Sequence, residues 1–453
     1  MDAIRRGTTQ PGQSARGYYT EEHVVNRTFK RLAIVSLAIA TATTLAACSK
    51  GSSSSSSGDS NTLKLWTHNA GNKTELAAIN TIVTDYNASQ SKYKVEVQAF
   101  PQDSYNTSVT AAAASKSLPC ILDVDAPNVP NWAWAKYLTP LTGLDDILSK
   151  YLPTTIGKWN NATYSYGYYD VSLVMIALKS VLKANGIRVA TVDKPWTADE
   201  FQQALDKLKA SGKFKNPLDL GTSASGEWWP YAYSPLLQSF GGDLINRTDY
   251  KSADGVLNGA DAVAWGKWFT SMAAQGYMPK KSGTDPSKDF QNGLTGILYS
   301  GQWSAADLDK KFPDDVAYMP PADFGKGAHV GGGSWQWAVS ADCKNLDGAM
   351  DYMKFAAQDK YVAEVAKATF NIPATDAAAA TVPGYEKGGK YDIFRQISAK
   401  YALIRPPTPG YPFIATTFTK AAQDILSGAD PQKSLDQAVS DIDANQKSNN
   451  YFQ

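Results

Sequence analysis

The run Leu63-Lys64-Leu65-Trp66 alternates apolar and polar positions, the period of a half-buried strand. A turn-forming stretch, Thr67 to Asn72, follows. Leu76, Ile79, Ile82, Val83 and Tyr86 then recur at helical spacing, which predicts a helix over 75–87. Alternation returns at Tyr93 to Ala99. An Ala-rich segment, 103–117, predicts a second helix, and Cys120 to Val124 a short buried strand. Strands alternating with helices imply a parallel sheet covered on both faces. Ligands bind such sheets beyond the carboxyl ends of the strands, which points at the loops opening at Asn69, Phe100 and Asp125.

Later patterns are mostly architectural. Thr197 with Glu200 three residues on forms a capping box, and Trp196 with Phe201 fits a hydrophobic staple, so Trp196 is expected in the core. Trp265, Trp268, Phe269 and Met272 share one helical face. Leu435, Val439 and Ile442 predict a last amphipathic helix. No internal repeat is visible.

The N-terminus has a different pattern. Arg27, Lys30 and Arg31 precede Leu32 to Ala47, a charge-free stretch shorter than the roughly 20 residues a bilayer span needs. A cationic start and a short apolar run ending in small residues describe a secretory signal. The first 26 residues are polar for such a segment, and translation is expected to begin near Val25. Leu45-Ala46-Ala47-Cys48 resembles the bacterial lipobox, so Cys48 is expected to carry lipid. The Ser/Gly run from Ser49 to Asp59 fits a flexible tether. Residues 1–47 are read as signal peptide and 48–60 as lipidated Cys and tether.

Composition narrows the chemistry. The 44 Lys and Arg balance 43 Asp and Glu, so no basic excess argues for nucleic acid. Three cysteines and no C-x-x-C give no zinc or redox motif. Cys120 and Cys343 can pair only if their Cα atoms lie within about 7 Å, and unpaired, buried thiols are expected. Only three histidines occur, with no H-E-x-x-H, G-x-S-x-G or phosphate loop. No catalytic residue, metal or cofactor is therefore assigned. Asp123 and Asp125 are a weak glycosidase pair, since such pairs abound in any acid-rich chain. The aromatics say more. There are 12 Trp and 24 Tyr, and Trp132, Trp134, Trp228, Trp229, Trp303, Trp335 and Trp337 fall near turns or strand ends. Sugar rings offer apolar faces to aromatic planes, while Asp, Asn, Glu and Arg take the hydroxyls. Together these aromatics favour a carbohydrate cleft.

Several motifs now line up. Tyr166-Gly167-Tyr168-Tyr169-Asp170 is followed by Ser172-Leu173-Val174 and Lys183-Ala184-Asn185-Gly186-Ile187. Pro195-Trp196-Thr197, Gly293 to Trp303, Gly331-Gly332-Gly333-Ser334-Trp335 and Arg405 to Tyr411 come after in order. With the lipobox in front, the chain resembles the extracellular solute-binding proteins (family 1) of ATP-driven sugar importers, which include maltose-binding protein. The likeness runs over most of 60–445. It departs where the family's Tyr-Asn-Lys is Ala177-Leu178-Lys179 here.

The resemblance implies an α/β, two-lobed periplasmic-binding-protein fold of type II. Each lobe is a mostly parallel sheet flanked by helices, and crossing hinge segments join them. The N-terminal lobe is expected over 61–167 and 334–385, the C-terminal lobe over 168–333 and 386–453. The sugar lies between the lobes, and the closed form docks on a permease with no bond in the substrate changed. By position, the resemblance carries over Trp303 as a stacking platform and Asp170 as a hydroxyl acceptor. Asn69 and Asp103 come from the first two strand-end loops, and Asp125 with Trp132 from the third. Trp228, Trp229, Trp335 and Arg405 come from the second lobe or the crossings, with Tyr169 and Gly333 beside the hinge. The implied partners are a mono- or oligosaccharide, the permease subunits and the membrane through lipid on Cys48. The protein is expected as a lipid-anchored, extracytoplasmic monomer. Two alternatives remain: the same fold binding a non-sugar solute, and a surface enzyme acting on polysaccharide.

Overall fold

The computed structural model describes residues 61–451. The signal segment, Cys48 and the Ser/Gly run lie outside the described residues. Six strands come first: β1 (Thr62–Thr67), β2 (Lys94–Ala99), β3 (Ile121–Asp125), β4 (Leu138–Thr139), β5 (Ile156–Trp159) and β6 (Ala162–Tyr166). Then follow β7 (Tyr169–Asp170), β8 (Leu173–Leu178), β9 (Asn216–Asp219), β10 (Thr295–Gly301) and β11 (Val316–Met319). The last are β12 (Val330–Gly332), β13 (Trp335–Ser340), β14 (Ile372–Pro373) and β15 (Ala402–Ile404).

These strands build two main sheets. The first has the order β2-β1-β3-β13-β6-β5, with β4 also on β13, and the second β11-β8-β10-β9. The expected strands and helices of the first half are present, with helices Lys73–Ser89 and Gln102–Ala114 between β1, β2 and β3. Leu63 and Leu65 turn inward on β1, as their alternation predicts. The capping box at Thr197 forms in full at the start of helix Ala198–Ala210. Trp196 is buried with its ring 6.2 Å from Phe201. Trp265, Phe269, Leu435, Val439 and Ile442 are buried.

Two expectations need correction. Neither sheet is mostly parallel. β1 runs parallel to β2 and β3, but β13 is antiparallel to β3, β4 and β6. In the second sheet β10 is parallel to β9, while β8 is antiparallel to both β10 and β11. The cause is the chain's return: β13 comes back into the first sheet after the second is complete, and enters it reversed. The second correction concerns the thiols. Cys120 and Cys343 form a disulfide, with Cα atoms 4.3 Å apart. Val339 pairs with Ile121, and the Ser340 N–H donates to the Cys120 carbonyl at 3.0 Å. This register lays the entry to β3 beside the turn after β13.

Three segments cross between the sheets. The first holds β7, which pairs with β14. The second holds β12 and the third β15, and these two pair in parallel. Beyond the third crossing, helices Tyr411–Ser427 and Pro431–Asn449 pack on helix Ala260–Ala274. Among the described residues no helix is long and apolar enough to cross a membrane. Among them, too, no group of three or more His, Cys, Asp or Glu is arranged to hold a metal ion.

Candidate functional site

A cleft of about 1070 Å³ opens where the strand ends of the first sheet, the crossings and helix Trp228–Phe240 meet. Asp103, Asp125, Trp132, Tyr169, Trp228, Trp303, Gly333, Trp335 and Arg405 all line it. Three expected residues do not.

Asn69 is buried and donates its amide to the Thr67 hydroxyl at 2.9 Å. Its neighbour His68 lines the cleft instead. Trp229 is buried with its ring 5.0 Å from Tyr233, and its Nε1 donates to the Ala224 carbonyl at 2.8 Å. Asp170 is fully buried among the crossings. Its carboxylate accepts from the Gly333 N–H at 3.0 Å, the Ser398 hydroxyl at 2.6 Å and the Thr154 hydroxyl at 2.9 Å. One group thus joins the first crossing to the second and to helix Asp392–Tyr401, which leads into the third. Burial raises the Asp170 pKa, against these donors. It is a structural knot rather than a hydroxyl acceptor. Gly333 sits at φ +82°, a conformation L side chains rarely adopt, which lets the chain turn from β12 into β13.

The aromatic surfaces come from both sides. Trp303 is 39% exposed, and its ring covers Gly301 so closely that a Cβ there would lie 2.0 Å from it. Glycine at the end of β10 therefore sets the platform's angle. Trp228 lies against Gly221 and donates Nε1 to the Leu220 carbonyl at 3.2 Å. Trp335, at the first residue of β13, stacks on His68 with centroids 3.7 Å apart and planes at 13°. Trp132 is buried, with part of its surface at the cleft wall.

Two polar networks frame these rings. In the first, His68 Nδ1 lies 2.6 Å from Asp123, which also accepts from the Thr67 hydroxyl at 2.9 Å. Burial alone would lower His68, but Asp123, with Glu75 and Asp125 beyond it, raises its pKa. Glu75 accepts from the Tyr169 hydroxyl at 2.8 Å and from the Asn72 amide at 3.0 Å. Asn72 in turn caps helix Lys73–Ser89 through the Glu75 N–H. Burial raises Glu75, opposed by His68 and the Tyr169 hydroxyl.

In the second network, Arg405 forks onto both oxygens of Asp125 at 2.9 Å and reaches Glu227 Oε1 at 2.7 Å. The Tyr411 hydroxyl donates to that same oxygen. The guanidinium also lies over the Tyr231 ring, 5.1 Å from its centroid. Asp125 ends β3 of the first sheet, while Glu227 immediately precedes helix Trp228–Phe240 beside the second. Arg405 ties them across the cleft floor. Burial pushes Glu227 up to about 6, with Asp125 adding to the rise and Arg405 opposing it.

The sequence reading missed His68, Glu75, Tyr231 and Glu227. His68 had a signal, since it lies one residue before the loop that the strand-end rule picked. Glu75 had only its cap spacing from Asn72, and Glu227 had none.

Residues 81–391 match the family described as bacterial extracellular solute-binding protein. An uncharacterized lipoprotein in the oleD 5′ region of Streptomyces antibioticus is 26% identical over 317 residues, 66% of this chain and 67% of its own. The diacetylchitobiose binding protein DasA of Streptomyces coelicolor is 24% identical over 339 residues, 71% of this chain and 75% of its own. Among solved structures, the GacH receptor of Streptomyces glaucescens, determined unliganded and with acarbose, superposes with a TM-score of 0.71 at 20% identity. That likeness covers 86% of this chain and 99% of GacH, and it concerns the fold. The match spans both sheets apart from β1 and stops short of the third crossing, and this protein belongs to the bacterial extracellular solute-binding proteins.

Proposed function

We propose that this chain captures a carbohydrate in the cleft and delivers it to the permease of an ATP-driven importer, changing no bond in its cargo. One observation carries this: Trp303, Trp228 and Trp335 stand around a single cleft whose other walls include carboxylates and amides. Rings of that kind meet the faces of a sugar, and the polar groups meet its rim. The volume, about 1070 Å³, stands at the upper end of small-molecule sites. The names of relatives fit, since DasA is a diacetylchitobiose binder and GacH was solved with acarbose.

The two sheets are then the centres of two lobes, 61–167 with 334–385 and 168–333 with 386–453. Ligand favours the closed arrangement by hinge motion at the crossings. Members of the family are extracytoplasmic, and a disulfide suits an oxidising compartment. A lipid on Cys48 holds the monomeric protein at the membrane, and Cys48→Ala releases it from the membrane fraction. Retention of that variant in the membrane contradicts the anchor.

The test is Trp fluorescence and melting temperature of the purified protein against mono- and oligosaccharides. Ligand at 100 times Kd adds about 2.7 kcal/mol of stability. Silence across the whole panel points to another solute. A signal that decays as products accumulate points to an enzyme.

A further inference from the structure

The charge lining the cleft is one-sided. Glu75, Asp103, Asp125 and Glu227 line it, against Arg405 and His68, and no lysine among the described residues lines it. Neither cation is free. Arg405 is committed to Asp125 and Glu227, and His68 to Asp123 behind the wall. A neutral sugar needs acceptors for its hydroxyls, but it does not need a surplus of negative charge. In a cleft with low-dielectric walls such a surplus concentrates cations.

Glu227 is the carboxylate placed to use that field. Its side chain is 36% exposed. Oε1 holds both Arg405 and the Tyr411 hydroxyl, which fixes the headgroup. Oε2 has no hydrogen-bond partner among the described residues. Trp228 is its chain neighbour, and Tyr231 follows one helical turn on. Tyr231 is nine-tenths buried, lines the cleft and keeps a hydroxyl with no partner. Buried hydroxyls are rarely left so, and this one sits enclosed in the cleft wall.

We propose that the cleft prefers sugars bearing a protonated amine to their neutral counterparts, and that Glu227 meets the ammonium group. This rests on the carbohydrate reading above. The ammonium donates to Glu227 Oε2 and lies beside the indole of Trp228, where an aromatic face also attracts a cation. The groups facing Glu227 are Arg405 and Asp125 across the cleft floor and Tyr411 at the start of its helix. The preference is present while the amine is protonated and fades as pH rises through the amine's own pKa.

The experiment is calorimetric titration of the full protein at neutral pH and low salt. The probes are chitobiose, diacetylchitobiose and cellobiose, one skeleton carrying an amine, an acetamide or a hydroxyl, together with glucosamine, N-acetylglucosamine and glucose. The amine forms are expected to bind about tenfold tighter than their neutral counterparts. In Glu227→Gln, where the amide oxygen still accepts from Arg405 and Tyr411, that advantage falls below about threefold. If this variant fails to fold, Asp103→Asn lowers the field from an exposed position and is expected to narrow the same gap. Neutral forms binding as tightly as the amines overturn the preference and leave the carbohydrate reading standing. So does binding of other neutral sugars when no amine form binds. Failure of every sugar to bind removes the reading and the preference together.

Discussion

Asp125 and Asp170 are both buried carboxylates at the junction of the two sheets, yet they do opposite work. Asp125 ends a strand, faces the cleft and is matched by a cation, Arg405. Asp170 lies in a crossing, is fully buried outside the cleft lining and is matched by three neutral donors. The first is one member of a charged chain from sheet to sheet. The second holds backbone and hydroxyls in register. A carboxylate in a promising motif therefore says little about ligand until its partners are known.

Replacement tests that contrast most directly. Asp125→Ala leaves the buried Arg405 with Glu227 as its one remaining carboxylate and is expected to cost about 3 kcal/mol in urea unfolding. Asp170→Asn keeps the volume and loses part of the acceptor capacity, so about 1–3 kcal/mol is expected. Equal losses would erase the distinction between ionic and neutral partners. Trp303→Ala shifts the comparison to the cleft face. It is expected to weaken ligand binding by about 1–3 kcal/mol while barely moving the melting temperature. Unchanged affinity removes Trp303 from the site.

The smallest effect is in pH. Glu227 is raised from 4.5 to about 6 in the folded protein. A raised carboxyl contributes stability that is whole below its unfolded value and is lost as pH rises through its folded one. Between pH 4.5 and 6, then, the native protein loses stability relative to Glu227→Gln. Melting curves across that window report it, and parallel profiles would mean that Glu227 titrates normally.

The sequence was most legible where a feature is local. The alternation of β1, the helix after it, the cap at Thr197 and the staple of Trp196 with Phe201 all depend on neighbours within a few residues. The placement of Trp303 at the cleft followed from the family resemblance, which its position near a strand end only accompanied. What escaped depends on distant pairing. His68 meets Asp123 because β1 lies beside β3, and Trp335 joins them because β13 slots in on the other side of β3. Glu227 finds Arg405 through a separation of 178 residues. Asp170 was placed in the right segment, but its orientation is set by Gly333 of the second crossing and Ser398 of the helix before the third. The reversed entry of β13 also explains why a run of strand-helix-strand suggested a more parallel sheet than the one formed.

That same reversed strand gives the disulfide a wider reach than a local clip. Cys120 and Cys343 are 223 residues apart, so the bond closes a ring that contains every strand of the second sheet. In a chain-entropy account, confining so long a ring in the unfolded state is worth about 5 kcal/mol. An exported chain meets oxidising conditions only after it leaves the cytoplasm, so its resistance to unfolding is completed outside the cell. Protein handled with thiol reductants becomes a linear polymer again, and its melting temperature describes an immature form.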